Sequence, residues 1–260
     1  MKVVAITREK RFSPNSTEKD QAIMNAVITR LTARGEEVLV INEQTMNGLP
    51  QGDCYITMGR DSHTLALLDE KEKRGIRVIN SSHSIRNCNR DVLSHLMQQN
   101  GILTPPEQGN DGYWIKRADS SAQSENDVVY APDEHERDIS IDKFRQRGID
   151  KIVTSAHVKG DLVKFYGVMK TSFFRYYYPT EDKETKFGHE SINGRAHFYT
   201  FDTNRLQSIA NKLSEITGVE IYGGDCIISP QGEIYIIDFN DWPSFSRCRE
   251  EAAEAIASLI

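Results

Sequence analysis

Short apolar runs and helical repeats alternate along the first third of the chain. Four apolar runs have the length of buried strands, and they cover residues 2–6, 37–41, 53–58 and 76–79. After the first run, Ile23, Val27 and Leu31 recur at helical spacing, and Gly35 ends the repeat. Strands that alternate with helices are typical of a parallel sheet with helices against its faces. This pattern predicts an α/β fold for the amino-terminal part of the chain.

The pattern changes after Pro105 and Pro106, which cannot continue a helix, and we place a domain boundary there. Six strands are expected beyond it, at residues 113–117, 127–130, 151–155, 161–168, 171–178 and 197–201. Helices are expected at about 139–147, 202–216 and 247–260. The charged residues 132–138 are interpreted as a solvated segment. The expected fold class is therefore α/β followed by α+β.

The stretch from Ile221 to Phe245 predicts a buried hairpin with acids at one end. Two apolar strands flank a tight turn, with Asp225 on the first strand and Asp238 and Asn240 on the second. Asp238 and Asn240 are two residues apart and face the same way, and Asp225 can lie beside them across the hairpin. Three such oxygen ligands suit magnesium, with phosphate oxygens and waters completing its octahedron. Capping of the hairpin is the purely structural alternative.

Composition and charge narrow the possible functions. The chain has 260 residues and a formal net charge of −6, with no basic block that would favour nucleic acid. The N-terminus becomes charged too soon for a signal peptide, and no apolar run is long enough to span a bilayer. The four cysteines have neither metal-ligand nor redox spacing, which favours buried thiols in a reducing cytoplasm. We expect a cytoplasmic protein without nucleic-acid or membrane partners.

Over nearly all of its length, the chain resembles the ATP-grasp superfamily. The most specific features are Gly-x-Asp at Asp225, the apolar strand that follows, and acid-x-Asn-x-x-Pro from Asp238 to Pro243. The resemblance implies a Rossmann-like pre-ATP-grasp domain over residues 1–105. It further implies a two-lobed ATP-grasp domain over 106–260, with antiparallel sheets in lobes 106–155 and 156–260. ATP and Mg²⁺ are the implied cofactors, with Asp225, Asp238 and Asn240 as the metal ligands.

The same resemblance implies a set of nucleotide-binding residues. Lys116 matches the first-lobe lysine that meets ATP phosphates, although it also suits a solvent-facing strand position. The loop with Ser120 and Ser121 stands where many relatives have a glycine-rich phosphate loop, and it has no glycine. Adenine would be recognised by backbone groups of the hinge, which lacks the Gln-Glu pair that relatives often carry. The implied hinge residues are Ser155, Ala156, His157 and Val158, and Asp161, three residues after Val158, is a further implied nucleotide-binding residue. A solvated loop residue is the alternative for His157.

Two further basic residues are candidates for catalysis. Lys164 forms a Lys-x-Tyr pattern with Tyr166, similar to one in the inositol-phosphate kinases of the superfamily, although an ordinary exposed strand face also explains it. Arg175 stands where relatives place a cation against the transferred phosphate, and a salt-bridged surface arginine is its alternative. Trp242 and Phe245 would border the acceptor site, but buried core positions are the more ordinary role for such residues.

Three functions follow as hypotheses. We slightly favour an ATP- and Mg²⁺-dependent ligase that joins a carboxylate to an amine or thiol through an acyl phosphate. A kinase of a phosphorylated polyol, or of another small-molecule hydroxyl, is the first alternative, and a non-catalytic ATP sensor is the second. The partner is expected to be a small-molecule acceptor, selected by the amino-terminal domain and the 180–194 loop. An anionic acceptor could meet Arg86, Arg90 and Arg117, which solvated surface charges explain equally well.

Overall fold

The computed structural model describes residues 1–13, 16–119, 124–179 and 192–260. Ser120, Ser121 and most of the 180–194 loop lie outside the described residues. The chain builds three sheets in succession, which together confirm the expected combination of α/β and antiparallel α+β structure. Within the described ranges, no helix is both long enough and apolar enough to cross a bilayer.

The first sheet is parallel and has the strand order β2-β1-β3-β4. Its strands are β1 (Lys2–Thr7), β2 (Glu37–Asn42), β3 (Cys54–Thr57) and β4 (Arg77–Ile79). The connections contain helices α1 (Thr17–Ala33) and α2 (Ser62–Lys73), and α3 (Ser82–Asn87) and α4 (Arg90–Gln99) follow β4. Ile23, Val27 and Leu31 of α1 are buried, as the helical spacing predicted. Because the strands are parallel, the residues that follow them line up along one edge of the sheet.

The second sheet is antiparallel, with the order β6-β5-β7. It contains β5 (Tyr113–Arg117), β6 (Val128–Ala131) and β7 (Ile152–Ala156), and α5 (Glu134–Gln146) packs against it. Helix α5 begins five residues before the expected start at 139. Asp133 caps it by accepting a hydrogen bond from the Glu136 amide, so the charged segment is helical and not an irregular loop.

The third sheet is antiparallel, with the order β11-β10-β8-β9. Its strands are β8 (Asp161–Val168), β9 (Phe174–Tyr177), β10 (Ile221–Ile228) and β11 (Ile234–Asp241), and α6 (Thr203–Thr217) and α7 (Arg249–Ala257) complete the chain. The strand expected at 197–201 is wrong. The buried Asp161 carboxylate accepts hydrogen bonds from the His197 and Tyr199 amides at 2.6 and 2.8 Å, so a side chain holds this segment in place of a strand ladder.

The hydrophobic cores link distant parts of the sequence. Helix α7 packs with α1 on the first sheet, in a core that also contains Trp242 and Phe245. Helix α4 packs instead onto the third sheet, where Leu93 and Met97 lie against Phe239 and its neighbours. Packing therefore crosses residue 105 in both directions, and the domain boundaries stay a prediction. The four cysteines are buried free thiols, as expected.

Candidate functional site

A cavity of about 400 Å³ opens where the three sheets face one another. Each sheet contributes to its wall, and the segments that join them contribute as well. From the first sheet and its helices come Arg8, Lys19, Asp20, Arg60 and Arg90; from the second, Trp114, Lys116 and Ser155–Val158; from the third, Lys164, Tyr166, Asp225, Asp238, Asn240 and Asp241. The cavity is thus lined by charged residues of both signs, as a site for a charged ligand requires.

Strands β10 and β11, called the acidic hairpin below, bring the three predicted metal ligands together. Asp225 lies opposite Asp238 in the strand register, and Asn240 lies opposite Gly223. The Asn240 side chain also hydrogen-bonds the Asp238 carboxylate. A register shift between Asp225 and Cys226 marks a β-bulge, a feature that re-aims side chains next to functional sites. The local sequence alone therefore assembles this part of the site.

Three basic side chains face these carboxylates. The Lys164 ammonium lies 3.2 and 3.3 Å from the two Asp225 oxygens. Lys116 reaches across from the second sheet and donates to the Ile237 carbonyl at 3.1 Å, next to Asp238. An Arg90 Nη2 atom lies 3.9 Å from Asp238 Oδ2, while its Nη1 donates to the Arg117 carbonyl at 2.8 Å. Lys116 is therefore a cavity residue and not a solvent-facing strand lysine.

The electrostatics of this cluster shift two pKa values. Burial by itself raises the pKa of Asp238, but the charges of Arg90 and Lys116 outweigh it and hold that pKa below its usual value. Burial lowers the pKa of Lys116, and the neighbouring Arg90 lowers it further, while Asp238 and Asp225 oppose the shift. Carboxylate and ammonium groups thus lie together in a partly desolvated space. Their electrostatic interactions with a bound phosphate would be stronger there than in water.

Two glycines let the strands approach closely enough to form this wall. A Cβ atom on Gly223 would lie 2.8 Å from Pro243 and 2.9 Å from Tyr166, and one on Gly224 would lie 2.4 Å from Phe165. Real Cβ contacts do not occur at such distances, so any larger residue would push the third sheet apart. Tyr166 borders the cavity here, and burial raises its pKa to about 12, which keeps its hydroxyl protonated.

Another part of the cavity wall contains aromatic and apolar residues, among them Trp114, Ala156 and Val158. Trp114, Tyr130 and His157 form a ring cluster, and the Trp114 indole N–H donates to His157 Nδ1 at 3.1 Å. Burial lowers the pKa of His157, which favours the neutral ring that this bond requires. His157 is therefore partly buried and hydrogen-bonded to Trp114 in the cavity wall.

Two backbone amides of the hinge already donate hydrogen bonds to carbonyl groups of the protein. The Ala156 amide donates to the Pro106 carbonyl at 2.7 Å, and the His157 amide donates to the Gly112 carbonyl at 2.8 Å. These two amides cannot also donate to a base without breaking those bonds. The predicted hinge residues Ser155, Ala156, His157 and Val158 all line the cavity, but their recognition of a base would rely on other groups.

Several predicted residues lie elsewhere. Arg175 is not among the described residues that line the cavity; it is an exposed residue paired with Glu251, which matches its surface alternative. Asp161 is buried beneath the 197–199 segment, where its oxygens are used. Of the three arginines considered for an anionic acceptor, Arg90 is among the described residues that line the cavity, and Arg86 and Arg117 are not. Arg86 donates instead to the Ser82 hydroxyl, and Arg117 donates to the Asp119 carboxylate.

A second charged group in the cavity wall was not foreseen from the sequence. Arg8, Asp20, Arg60 and Asp241 form what we call the arginine cluster. Arg60 pairs closely with Asp241, and Arg8 lies 3.6 Å from Asp20 and 3.8 Å from Asp241. Burial lowers the pKa of Arg60, but Asp241 reverses this and raises it. Arg8 and Arg60 follow the adjacent strands β1 and β3, and that position at the carboxyl ends of parallel strands was the available signal.

The donor set of the acidic hairpin fits magnesium bound together with phosphate. Two carboxylates and one amide oxygen are hard ligands, and they leave positions for phosphate oxygens and water. Among the described residues there is no cluster of three or more His, Cys, Asp and Glu side chains suited to a metal. Because Lys164, Lys116 and Arg90 already offset the two carboxylates, we expect the metal to bind with a polyphosphate and not alone.

Comparison with known proteins identifies the fold. No family model and no curated protein matches the chain. The chain is similar to the RimK domain ATP-grasp protein from Sphaerobacter thermophilus, with 15% identity, a TM-score of 0.66 and coverage of 100% and 99% of the two chains. It is similar to D-alanyl-alanine synthetase A from Vibrio cholerae, with 11% identity, a TM-score of 0.70 and coverage of 99% and 96%.

A third structure is the ATP-grasp ligase PsnB in complex with a variant of its minimal precursor, Mg and ADP. It is 12% identical to this chain, with a TM-score of 0.62 and coverage of 98% and 97% of the two chains. At such identities the similarity concerns the fold, and it extends over nearly the whole length of all three structures. The chain therefore has the ATP-grasp fold, as its sequence resemblance predicted.

Proposed function

We propose that the protein is an ATP- and Mg²⁺-dependent ligase that joins a carboxylate to an amine or a thiol through an acyl phosphate. The observation that carries the proposal is the meeting of Lys116, Lys164 and Arg90 with Asp225 and Asp238 in one cavity. D-alanyl-alanine synthetase A and PsnB, which share the fold, are a synthetase and a ligase by name, and this supports the same class of reaction here.

In this proposal the nucleotide base occupies the apolar end, between Trp114 and the hinge. Its phosphates extend toward Lys116, Lys164 and Arg90, whose charges offset the polyphosphate. Asp225, Asp238 and Asn240 would hold magnesium, which would supply positive charge to offset that of the phosphates. The acceptor carboxylate attacks the γ-phosphorus and ADP leaves, which gives the acyl phosphate; the amine or thiol then attacks the acyl carbon and inorganic phosphate leaves. Fixed cations in a partly desolvated cavity need little rearrangement as charge develops, and this lowers the barrier.

The acceptor would bind at the far end of the cavity, beside the first sheet. The cavity lining includes Ser13, Ser16, Lys19, Ser244 and Ser246, together with the arginine cluster. Hydroxyl groups and one lysine suit a polar acceptor with an anionic group. The structural support is the position of the carboxyl ends of β1 and β3, where open α/β sheets bind their ligands.

Product analysis tests the proposal. The protein is incubated with ATP, Mg²⁺ and pools of carboxylates and amines, with hydroxylamine added to trap acyl phosphates. A ligase releases free phosphate and ADP and forms acyl hydroxamates, all of which ³¹P NMR and mass spectrometry detect. ATP binding without any turnover would support the sensor hypothesis and would contradict the proposal.

A kinase is the second candidate, and one observation favours it. Lys164 and Tyr166 both line the cavity beside Asp225, so the Lys-x-Tyr pattern faces the reaction space and not bulk solvent. The protonated Tyr166 hydroxyl suits hydrogen bonding to a phosphorylated polyol. In the same experiment a kinase would form a new phosphate ester without hydroxamate, and Tyr166→Phe would raise the KM for that acceptor.

A further inference from the structure

We infer that Asn80 is a positioning residue that holds the open end of the acidic hairpin and thereby sets the proposed metal ligands. The effect of Asn80 on the metal ligands rests on the proposed function. Its role in holding the hairpin rests on the contacts alone. Asn80 follows β4 directly and is completely buried. It is not among the described residues that line the cavity, so any effect it has on ligand binding must pass through the residues it holds.

The Asn80 side chain makes three hydrogen bonds to the start of β10. Its Nδ2 donates to the Ile221 carbonyl at 2.9 Å, and its Oδ1 accepts from the Glu220 and Ile221 amides at 2.8 and 2.9 Å. The amide group of one side chain thus holds two consecutive residues at the start of β10. A buried asparagine with three satisfied bonds is a rigid connection, because breaking any one leaves a buried polar group unpaired.

The same carbonyl joins the two strands of the hairpin. Ile221 O also accepts from the Trp242 amide at 3.0 Å, so β4, β10 and the end of β11 meet at one atom. On the β11 side, Arg8 Nη2 donates to the Trp242 carbonyl at 3.2 Å, and Arg60 pairs with the adjacent Asp241. The segments that follow three neighbouring strands of the parallel sheet, β1, β3 and β4, therefore each supply a side chain that holds the open end.

The held end is close to the proposed ligands. Trp242 is two residues from Asn240, and Ile221 is four residues from Asp225, which correspond to about 7 and 13 Å along extended strands. A shift of the hydrogen-bonded pair Ile221 and Trp242 would therefore displace Asn240 and Asp238. The displacement would be relative to Lys116, because Lys116 belongs to a different sheet. Metal binding depends on such placement, because magnesium tolerates little deviation from octahedral geometry. Asn80 would thus influence the metal site without touching it.

The test compares Asn80→Ala with Asn87→Ala. Asn87 is also a buried asparagine, and its Nδ2 donates at 3.0 Å to the backbone carbonyl of Thr217, at the end of α6. Neither this bond nor its contact with His83 reaches the hairpin. Amide hydrogen exchange is measured on both variants without ligand. Binding of Mn²⁺ together with a non-hydrolysable ATP analogue is measured by electron paramagnetic resonance, and the analogue is also titrated without metal.

For Asn80→Ala we expect exchange at residues 221–225 and 238–242 to rise at least tenfold, and the affinity for Mn²⁺ with the analogue to fall about tenfold. Metal-free binding of the analogue should change less than twofold, and Asn87→Ala should change neither quantity. Equal hairpin exchange in both variants would overturn the inference. Faster exchange with unchanged metal affinity would reduce Asn80 to a structural role and overturn it too. If the wild-type protein binds no metal–nucleotide, the proposed function fails, and the exchange result alone decides whether Asn80 holds the hairpin.

Discussion

The acidic hairpin and the arginine cluster both place acids beside basic side chains in the wall of one cavity, yet they differ in exposure. The side chains of Asp225 and Asp238 keep 28% and 23% of their surface exposed, whereas Asp241 has none and Asp20 has 11%. The hairpin carboxylates also face cations at ordinary or long distances, while Asp241 is tightly held by Arg60. Partly exposed acids can exchange partners with a ligand, and buried pairs cannot without a large cost.

This difference predicts that the hairpin controls activity and that the arginine cluster controls stability. The largest expected effect is on turnover. Replacing Asp238 with Asn removes one negative ligand charge with little change in shape, so Mg²⁺-dependent ATP turnover should fall by roughly 10²–10⁴-fold. Circular dichroism should show a retained fold. The matched control is Glu233→Gln, because Glu233 is an exposed acid in the turn between β10 and β11 whose carboxylate accepts from the Tyr235 hydroxyl. Unchanged turnover in Asp238→Asn would show that Asp238 is not a metal ligand.

The next effect concerns stability. Arg60→Ala leaves the buried Asp241 carboxylate without its closest partner, so the free energy of unfolding should fall by about 3–5 kcal/mol. Urea denaturation followed by fluorescence measures it. Arg11→Ala is the control, because Arg11 pairs with Asp61 at 2.6 Å but is half exposed, and such surface pairs contribute about 0–1 kcal/mol. Equal losses in the two variants would show that the cluster is no more structural than a surface ion pair.

A third, smaller effect separates two aspartates of the same sheet. Asp161→Ala removes the acceptor of two partly buried backbone hydrogen bonds, from the His197 and Tyr199 amides, and should lower the free energy of unfolding by about 1–3 kcal/mol while leaving the kcat for ATP turnover unchanged. Asp225→Asn should do the reverse, since its carboxylate faces the cavity. A large loss of kcat in Asp161→Ala, measured well below the melting temperature of the variant, would support the nucleotide-binding role that the sequence resemblance implied for Asp161.

The smallest effect is in the pH dependence of stability. The pKa of Asp238 is lower in the folded protein, so its ionised form stabilises the fold. That contribution is complete above the unfolded-state pKa of about 4 and is lost as the pH falls through the lower folded-state pKa. Asp238→Asn should therefore show a shallower decrease of the free energy of unfolding below pH 4. The exposed Asp142→Asn should follow the wild type, and parallel curves for all three proteins would contradict the assignment.

The same comparison explains what the sequence could predict. Asp225, Asp238 and Asn240 belong to one hairpin, and strand periodicity and a short turn fix their mutual positions. Lys116 comes from another sheet, and only the family resemblance pointed to it. The resemblance implied roles for Arg175 and Asp161, and nothing in the local sequence revealed the Glu251 partner of Arg175 or the 197–199 segment that uses the Asp161 oxygens.

The arginine cluster and Asn80 depend on contacts between distant residues. Arg8 and Asp241 are 233 positions apart, and no local periodicity records such a pairing. Arg8, Arg60 and Asn80 all follow strands of the parallel sheet, so their shared edge was predictable, but their partners were not. Helix α5 is the opposite case, because its start depends on a local feature. Asp133 could have been recognised as the capping residue, but the charged composition of residues 132–138 led us to expect only a solvated segment.

The most direct test of the central claim is a crystal structure with Mg²⁺ and a non-hydrolysable ATP analogue. We predict the base beside Trp114 and His157, the phosphates against Lys116, Lys164 and Arg90, and magnesium about 2.0–2.1 Å from oxygens of Asp225, Asp238 and Asn240. Metal without nucleotide should leave the site empty in a parallel crystal. A nucleotide bound elsewhere, or magnesium held without any of these three side chains, would contradict the account.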